Sequence, residues 1–395
     1  MTQRQLKTGY FVLTALNTAA TTYFFNFLFF YLRDRFQFGN RLNLWMCAMH
    51  GSIYIFSAWQ CGRYAERRGF LHSLKVGFGG LAVLMVVGGL SRGILGIICT
   101  LIGYSVVLLF TWPALEALVA QHESRAGVQH NIGVYNCTWA AASAFAYFTG
   151  GKLYDMWGRG AVFWLPAAMF AGQFLMVQWL AREAARAPAP RIEADDSRGP
   201  RPDPAALRQR VSPRGFLILA WLANPFSFMA VDTIYPVIPS LARKLELSPT
   251  QAGVFCSIWM FGRLAAFVAC WRWTHWQYRF RWLLGSYLAL VGGFMLMVLS
   301  GSLWLVVAAQ VFFGLATGLI YYSSLFYSMD VGDTKGEHGG LHEAALGAGI
   351  FAGPAVGAAS LQFVPSVPNI GVLAVSGLLL AGLAALLGIW NAQRK

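Results

Sequence analysis

Asp232 and Arg263 each stand alone in a long apolar stretch of the chain. An ionisable side chain at bilayer depth is costly, so such groups face a bundle interior or a wet cavity and mark a substrate or ion path. An Arg in that setting grips an anionic group through a bidentate contact. An Asp near it neutralises the guanidinium in the empty site and accepts a coupling proton. The alternative is a fixed ion pair that fastens two helices, although a buried pair adds little net stability. Pro225 and Pro236 bracket Asp232, with Tyr235 beside it. Proline kinks a helix and frees backbone carbonyls.

Other polar residues recur in the apolar stretches. Asn17, Thr21, Thr22 and Asn26 fall together, and Asn224, Gln310, Tyr321 and Tyr322 lie further on. They are candidates to hydrogen-bond a polar solute, or else to bond helix to helix. His50 and Glu343 are candidate proton sites, since a histidine titrates near neutrality. His338 and His342 are four apart with acids on both sides. That spacing holds a metal only on a rigid helix, and Gly339 and Gly340 argue against one. No metal and no cofactor are expected. Trp271, Trp273, Trp276 and Trp282 read as an interfacial belt.

These residues need elements to hold them. The 395-residue chain is 57% hydrophobic and 12% charged, against about 25% charged in a soluble domain. Its apolar runs of roughly 20 residues match a bilayer core. Breaks at charged, Gly and Pro positions divide the chain into twelve spans. The first, beginning near Phe11, is too long for a signal-peptide core and is read as a span. The six cysteines lie in or at the ends of apolar runs and lack zinc spacing. They are read as free thiols. The net charge of +14 is scattered over short loops, which excludes a nucleic-acid interface. With the N-terminus in the cytoplasm, most Lys and Arg fall on the inner side, as the positive-inside rule expects. The expected setting is a multi-pass protein of the inner cell membrane with both termini cytoplasmic.

Residues 182–214 are rich in Arg, Pro, Ala and acids and hold no apolar run. They read as a solvated cytoplasmic linker between an N-terminal six-helix bundle, residues 1–181, and a C-terminal one, residues 215–395. Aligning Asn17 with Asn224 places Ala146 on Gly353 and Gly150 on Gly357. That weak likeness suits an internal duplication, a recurrent transporter design.

After the second span comes Gly62-Arg63-Tyr64-Ala65-Glu66-Arg67-Arg68-Gly69. This resembles the Gly-x-x-x-Asp-Arg-x-Gly loop of the major facilitator superfamily, with Glu66 in place of Asp and no later basic pair. The resemblance implies an all-α membrane protein: twelve transmembrane helices in two pseudo-symmetric six-helix bundles. It implies transport by alternating access, with the central spans of each half lining a cavity. It also assigns the loop a gating role. Glycine gives a tight turn and close helix approach, Glu66 faces the positive start of span eleven, and Arg67 or Arg68 pairs with Glu116. Otherwise the loop is simply a solvated basic turn. The Arg of span four and the Gly-Pro of span five that mark drug–proton antiporters are missing, so drug export fits less well.

Gly349, Gly353, Pro354 and Gly357 in span eleven permit two helices to touch backbone to backbone. They form a seam on which the halves rock, or fixed packing. The function expected is secondary transport of a small polar or anionic organic solute, with protons as a candidate coupling ion, by a monomer in the lipid bilayer. No Gly-x-x-x-x-Gly-Lys-Ser/Thr loop is found, so ATP is not the direct drive. Two other classes remain: a membrane-embedded metal-dependent enzyme using the His338/His342 cluster, and a sensor or scaffold that kept the fold without transport.

Overall fold

The computed structural model describes residues 1–123, 125–187, 211–331, 335–367 and 369–393. Among them run twelve helices: α1 Gln3–Phe36, α2 Asn40–Arg68, α3 Phe70–Leu90, α4 Ile94–Ala120, α5 Arg125–Trp157, α6 Gly160–Arg186, α7 Pro213–Lys244, α8 Pro249–Arg272, α9 Phe280–Leu299, α10 Leu303–Val331, α11 Lys335–Phe363 and α12 Ile370–Gln393. Nine are long and apolar enough to cross a membrane among the described residues; α1, α2 and α5 are the exceptions. Those three have 34, 29 and 33 residues, more than the roughly 20 a bilayer core needs. They fall short on polarity instead, because they carry the Asn, Thr, Ser and His side chains that turn inward.

Local sequence sets the helix ends. Thr2 caps α1 and Gln5 reaches back to the Thr2 backbone, so α1 starts well before its apolar run. Ser248 and Gln251 form the same box ahead of Pro249. Gly69 has φ of 94°, a left-handed conformation that lets α2 pass into α3 without a loop. Helix α6 runs to Arg186 rather than ending near residue 181; the Ala-rich segment after Leu180 sustains it. The linker expected at 182–214 falls mostly outside the described residues.

Two helical irregularities shape the bundle. In α4, Leu108–Phe110 tightens into a 3₁₀ turn ahead of Pro113. In α8 the helix breaks at Ser257, whose φ and ψ are −91° and −10°.

The two six-helix bundles meet along α2 with α11 and α5 with α8. Both crossings depend on glycine. A methyl at Gly51 would lie 2.5 Å from the Phe351 backbone nitrogen, and one at Gly347 would lie 2.8 Å from Ile55 Cγ1. A methyl at Gly151 would collide with the Pro249 carbonyl oxygen, and one at Gly253 would lie 3.0 Å from the Tyr147 carbonyl oxygen. Of the two readings of Gly349, Gly353, Pro354 and Gly357, a rocking seam or fixed packing, the contacts favour packing. Gly349 and Gly353 close on Pro225 and Met229 of α7, within their own bundle. Gly357 has ordinary contact with Leu44 of α2, at 3.4 Å. Pro354 lies inside α11.

Overpacking costs about 1–3 kcal/mol, so Gly151→Ala should lower the unfolding temperature of the purified protein by several degrees. Gly172, where a methyl meets nothing within 4 Å, is the control; its Ala variant should be unchanged or slightly stabilised. Equal effects at both positions would show that the crossing is looser than described.

Candidate functional site

A cavity of about 230 Å³ opens between the two bundles. Helix α1 presents Thr18, Thr21, Thr22, Phe25 and Asn26 to it, an i, i+3, i+4 face. His50 and Tyr54 come from α2, Tyr104, Trp112 and Glu116 from α4, and Tyr135, Trp139 and Ser143 from α5. The second bundle gives Phe228, Asp232 and Tyr235 from α7, Arg263 from α8, Tyr321 from α10, and Leu346 and Ile350 from α11.

Asp232 and Arg263 therefore face one space, but they do not touch. Ion pairs within 4.0 Å among the described residues are Met1–Glu183, Lys7–Glu123, Arg33–Asp34 and Arg186–Glu183. A fixed Asp232–Arg263 bolt between α7 and α8 is not formed. Arg263 donates from Nε to Thr317 Oγ1 at 3.3 Å, which fixes its stem. Its guanidinium carbon lies 4.8 Å from the Trp259 ring centre and 5.8 Å from that of Trp139. Cation–π contact holds the plane, and the terminal nitrogens have no carboxylate partner among the described residues. Because Trp139 belongs to α5, this contact also bridges the bundles.

At Asp232 the hydrogen bond runs through the backbone. Pro236 has no N–H, so the Asp232 carbonyl lacks its helical donor. The Cys47 thiol of α2 donates to it at 3.3 Å. Among the described residues the Asp232 carboxylate itself receives no hydrogen bond. Two more carbonyls further along α7 accept from the first bundle. Asn43 Nδ2 donates to Pro236 at 3.3 Å, and an Arg33 terminal nitrogen donates to Pro239 at 3.0 Å. Trp45 also donates to Gln362, and Thr250 donates its backbone N–H to Asp155 at 2.9 Å. All these bonds cluster toward the end of the bundle opposite the chain termini. The cavity extends the other way, to Glu116 near the end of α4.

His50 sits among Phe25, Tyr54 and Tyr104. Ser105 Oγ donates to the Leu101 carbonyl at 2.6 Å and lies 2.8 Å from His50 Nδ1. Asn26 is 5% exposed, lines the cavity and has no hydrogen bond among the described residues.

Four other expected solute ligands point elsewhere. Asn17 donates to Thr111 Oγ1 at 3.1 Å and ties α1 to α4 beside the 3₁₀ turn. Asn224 is 1% exposed, and its amide has no hydrogen-bond partner among the described residues. Gln310 donates to the Phe255 carbonyl at 2.7 Å and accepts from the Trp259 N–H at 3.4 Å. It therefore serves the orphan groups left by the break in α8. Tyr322 packs on Phe267 and Trp276. Trp276 is itself 2% exposed and donates to the Cys270 carbonyl, so it is core and not belt.

Glu66, Arg67 and Arg68 are exposed at the end of α2, and a methyl at Gly62 would meet nothing within 4 Å. Close approach is thus no reason for glycine at 62. Glu116 lines the cavity. The side chains of His338, His342 and Glu343 lie outside the described residues; α11, whose start Glu66 was expected to meet, begins at Lys335. No group of His, Cys, Asp and Glu fit for a metal occurs among the described residues.

The Thr18, Ser143, Tyr54 and Tyr135 contributions escaped the sequence reading. The threonines at helical spacing in α1 were the one available signal.

The family model described as Major Facilitator Superfamily matches residues 11–354. Comparison with curated protein sequences yields no match. Among solved structures, the nucleoside transporter NupG superposes with a TM-score of 0.70 at 12% identity, over 98% of this chain and 99% of that one. The human organic anion transporter MFSD10 (TETRAN) gives 0.66 at 15% identity, over 97% and 99%. A bacterial homolog of the human lysosomal transporter Spinster, in an inward-facing and unoccupied conformation, gives 0.63 at 12%, over 99% and 93%. At these identities the likeness establishes the fold.

Gln310 is a structural residue on this geometry. Gln310→Leu should destabilise the protein by about 1–3 kcal/mol, read as a lower unfolding temperature, while ligand affinity stays at the parent value. A variant of parental stability with weakened binding would return Gln310 to the solute site.

Proposed function

Because the chain belongs to the major facilitator superfamily of membrane transporters, we propose that it is a secondary transporter moving a small polar or anionic organic solute by alternating access. The observation that carries this reading is the cavity between the bundles, faced by Asp232 from α7 and Arg263 from α8 without an ion pair between them. A scaffold gains nothing from two buried charges held apart, since each is costly without a partner. A solute site uses them. Arg263 grips an anionic group; Asp232 balances the charge and is the candidate proton carrier. Tyr235 and Tyr321 supply hydroxyls and ring faces, and His50 supplies an imidazole.

Alternating access fits the bonds at the far end. Cys47, Asn43 and Arg33 hold α7 there, while the cavity runs toward the termini. Transport then consists of breaking these bonds while the terminal side closes, with residues 1–181 and 215–395 moving as two bodies about the α2–α11 and α5–α8 crossings. The distribution of basic residues over the loops supports cytoplasmic termini, and the proposed setting is the inner membrane. In that orientation the structure is open inward. The transporter acts as a monomer, and proton symport is the coupling proposed.

The names of the similar structures, a nucleoside transporter and an organic anion transporter, guide the first solutes to test. The experiment is a thermal-shift screen of the purified protein against metabolite classes, repeated with Arg263→Ala, then uptake of each hit into proteoliposomes. A ligand that stabilises the parent and not the variant is expected. Losing the charged bidentate contact should cut uptake about ten- to a hundredfold. An imposed inward proton gradient should raise uptake by the parent and leave Asp232→Asn unaffected. A hit that stabilises Arg263→Ala as well as the parent would remove Arg263 from the site.

A further inference from the structure

Among the described residues three charged side chains line the cavity, Arg263, Asp232 and, toward the chain termini, Glu116; the first two differ from each other in sign and are alike in what they lack. Arg263 and Asp232 are 7% and 6% exposed, and each keeps hydrogen-bonding capacity toward the cavity. The Arg263 stem is spoken for by Thr317 and its faces by two indoles, so only the edge of the guanidinium remains to bind. The Asp232 carboxylate has no donor among the described residues. A solute with one negative group satisfies Arg263 and sets a second anion beside a buried carboxylate. A solute with one positive group leaves the guanidinium unanswered. One that carries both charges meets both needs together, and the filled cavity gains no net charge.

The walls between these groups are aromatic. Phe25 and Tyr235 stand edge to face at 6.2 Å, and Tyr235 and Trp259 tilt at 5.8 Å. Tyr321 lies edge to face with Trp139 at 5.7 Å. Asn26 adds an amide with no partner among the described residues. Ring faces and edges take up an apolar or planar body at little entropic cost, since the rings are already locked against one another.

We propose that the cavity binds a zwitterionic solute of amino-acid character with an apolar or aromatic body, its carboxylate on Arg263 and its ammonium on Asp232. This rests on the transporter reading above and narrows its substrate class.

The test uses the full-length protein and a panel of zwitterions: aromatic and aliphatic α-amino acids, and dipeptides. Each is set beside the analogue lacking the ammonium group and the analogue lacking the carboxylate. For phenylalanine these are 3-phenylpropionate and phenethylamine. At least one zwitterion should raise the unfolding temperature of the parent and bind about ten- to a hundredfold more tightly than either analogue. Asp232→Asn should weaken the zwitterion and leave its deaminated analogue unchanged or tighter. Arg263→Ala should weaken the zwitterion and leave the decarboxylated analogue unchanged or tighter. This crossed pattern does not arise from a general loss of stability, which lowers all affinities together.

An anion that binds parent and Asp232→Asn equally, and better than any zwitterion, overturns the substrate class. So does a parent that binds no zwitterion in the panel. In both cases uptake of nucleosides or organic anions into proteoliposomes decides the wider reading separately: measurable uptake keeps the transporter, and no uptake of any solute removes it too.

Discussion

Inside hydrocarbon a backbone carbonyl without a donor costs several kcal/mol, and α7 contains three prolines that withhold donors, Pro225, Pro236 and Pro239. The rest of the site is arranged around that constraint. The carbonyl orphaned by Pro236 belongs to Asp232, and the thiol that answers it comes from the other bundle. The backbone of the acid is therefore tied across the bundle junction while its carboxylate stays in the cavity. A regular helix would have satisfied its own carbonyl and given α2 nothing to bind.

The same solution recurs at lower stakes. The break in α8 at Ser257 leaves backbone groups that Gln310 bridges from α10. The 3₁₀ turn in α4 is held by Thr111, to which Asn17 donates from α1. Polar side chains in this bundle thus divide into two kinds. Some repair irregular backbone, and others face the cavity. Apart from Asp232, Arg263 and Glu116 both kinds are uncharged, so composition does not separate them.

Glycine controls how the bundles meet. At Gly51 and Gly151 a helix from one bundle touches the backbone of the other, and such contact is tight yet carries few side-chain bonds to break. Three of the bonds that cross the junction fall on the proline-interrupted length of α7, toward the end away from the termini. Conformational change in such a molecule is a matter of trading one set of polar bonds for another about a smooth pivot.

The sequence by itself determined the twelve helices and their arrangement as two sets of six, and it singled out Asp232 and Arg263. Those follow from hydropathy, which is local: a run of about 20 apolar residues has one stable solution in lipid, and a lone charge within it advertises itself. The Gly62–Gly69 motif identified the family by the same local means. What the sequence left open was direction. Asn17, Asn224, Gln310 and Tyr322 resemble Asn26, Tyr235 and Tyr321 in type and setting, yet the former point into packing and the latter into the cavity. Only tertiary structure decides this. Which face of a helix meets water, backbone or a neighbouring ring depends on rotation set by distant contacts, such as Gly349 against Pro225 and Gly151 against Pro249. The relation of Asp232 to Arg263, facing one space without touching, was fixed in the same way.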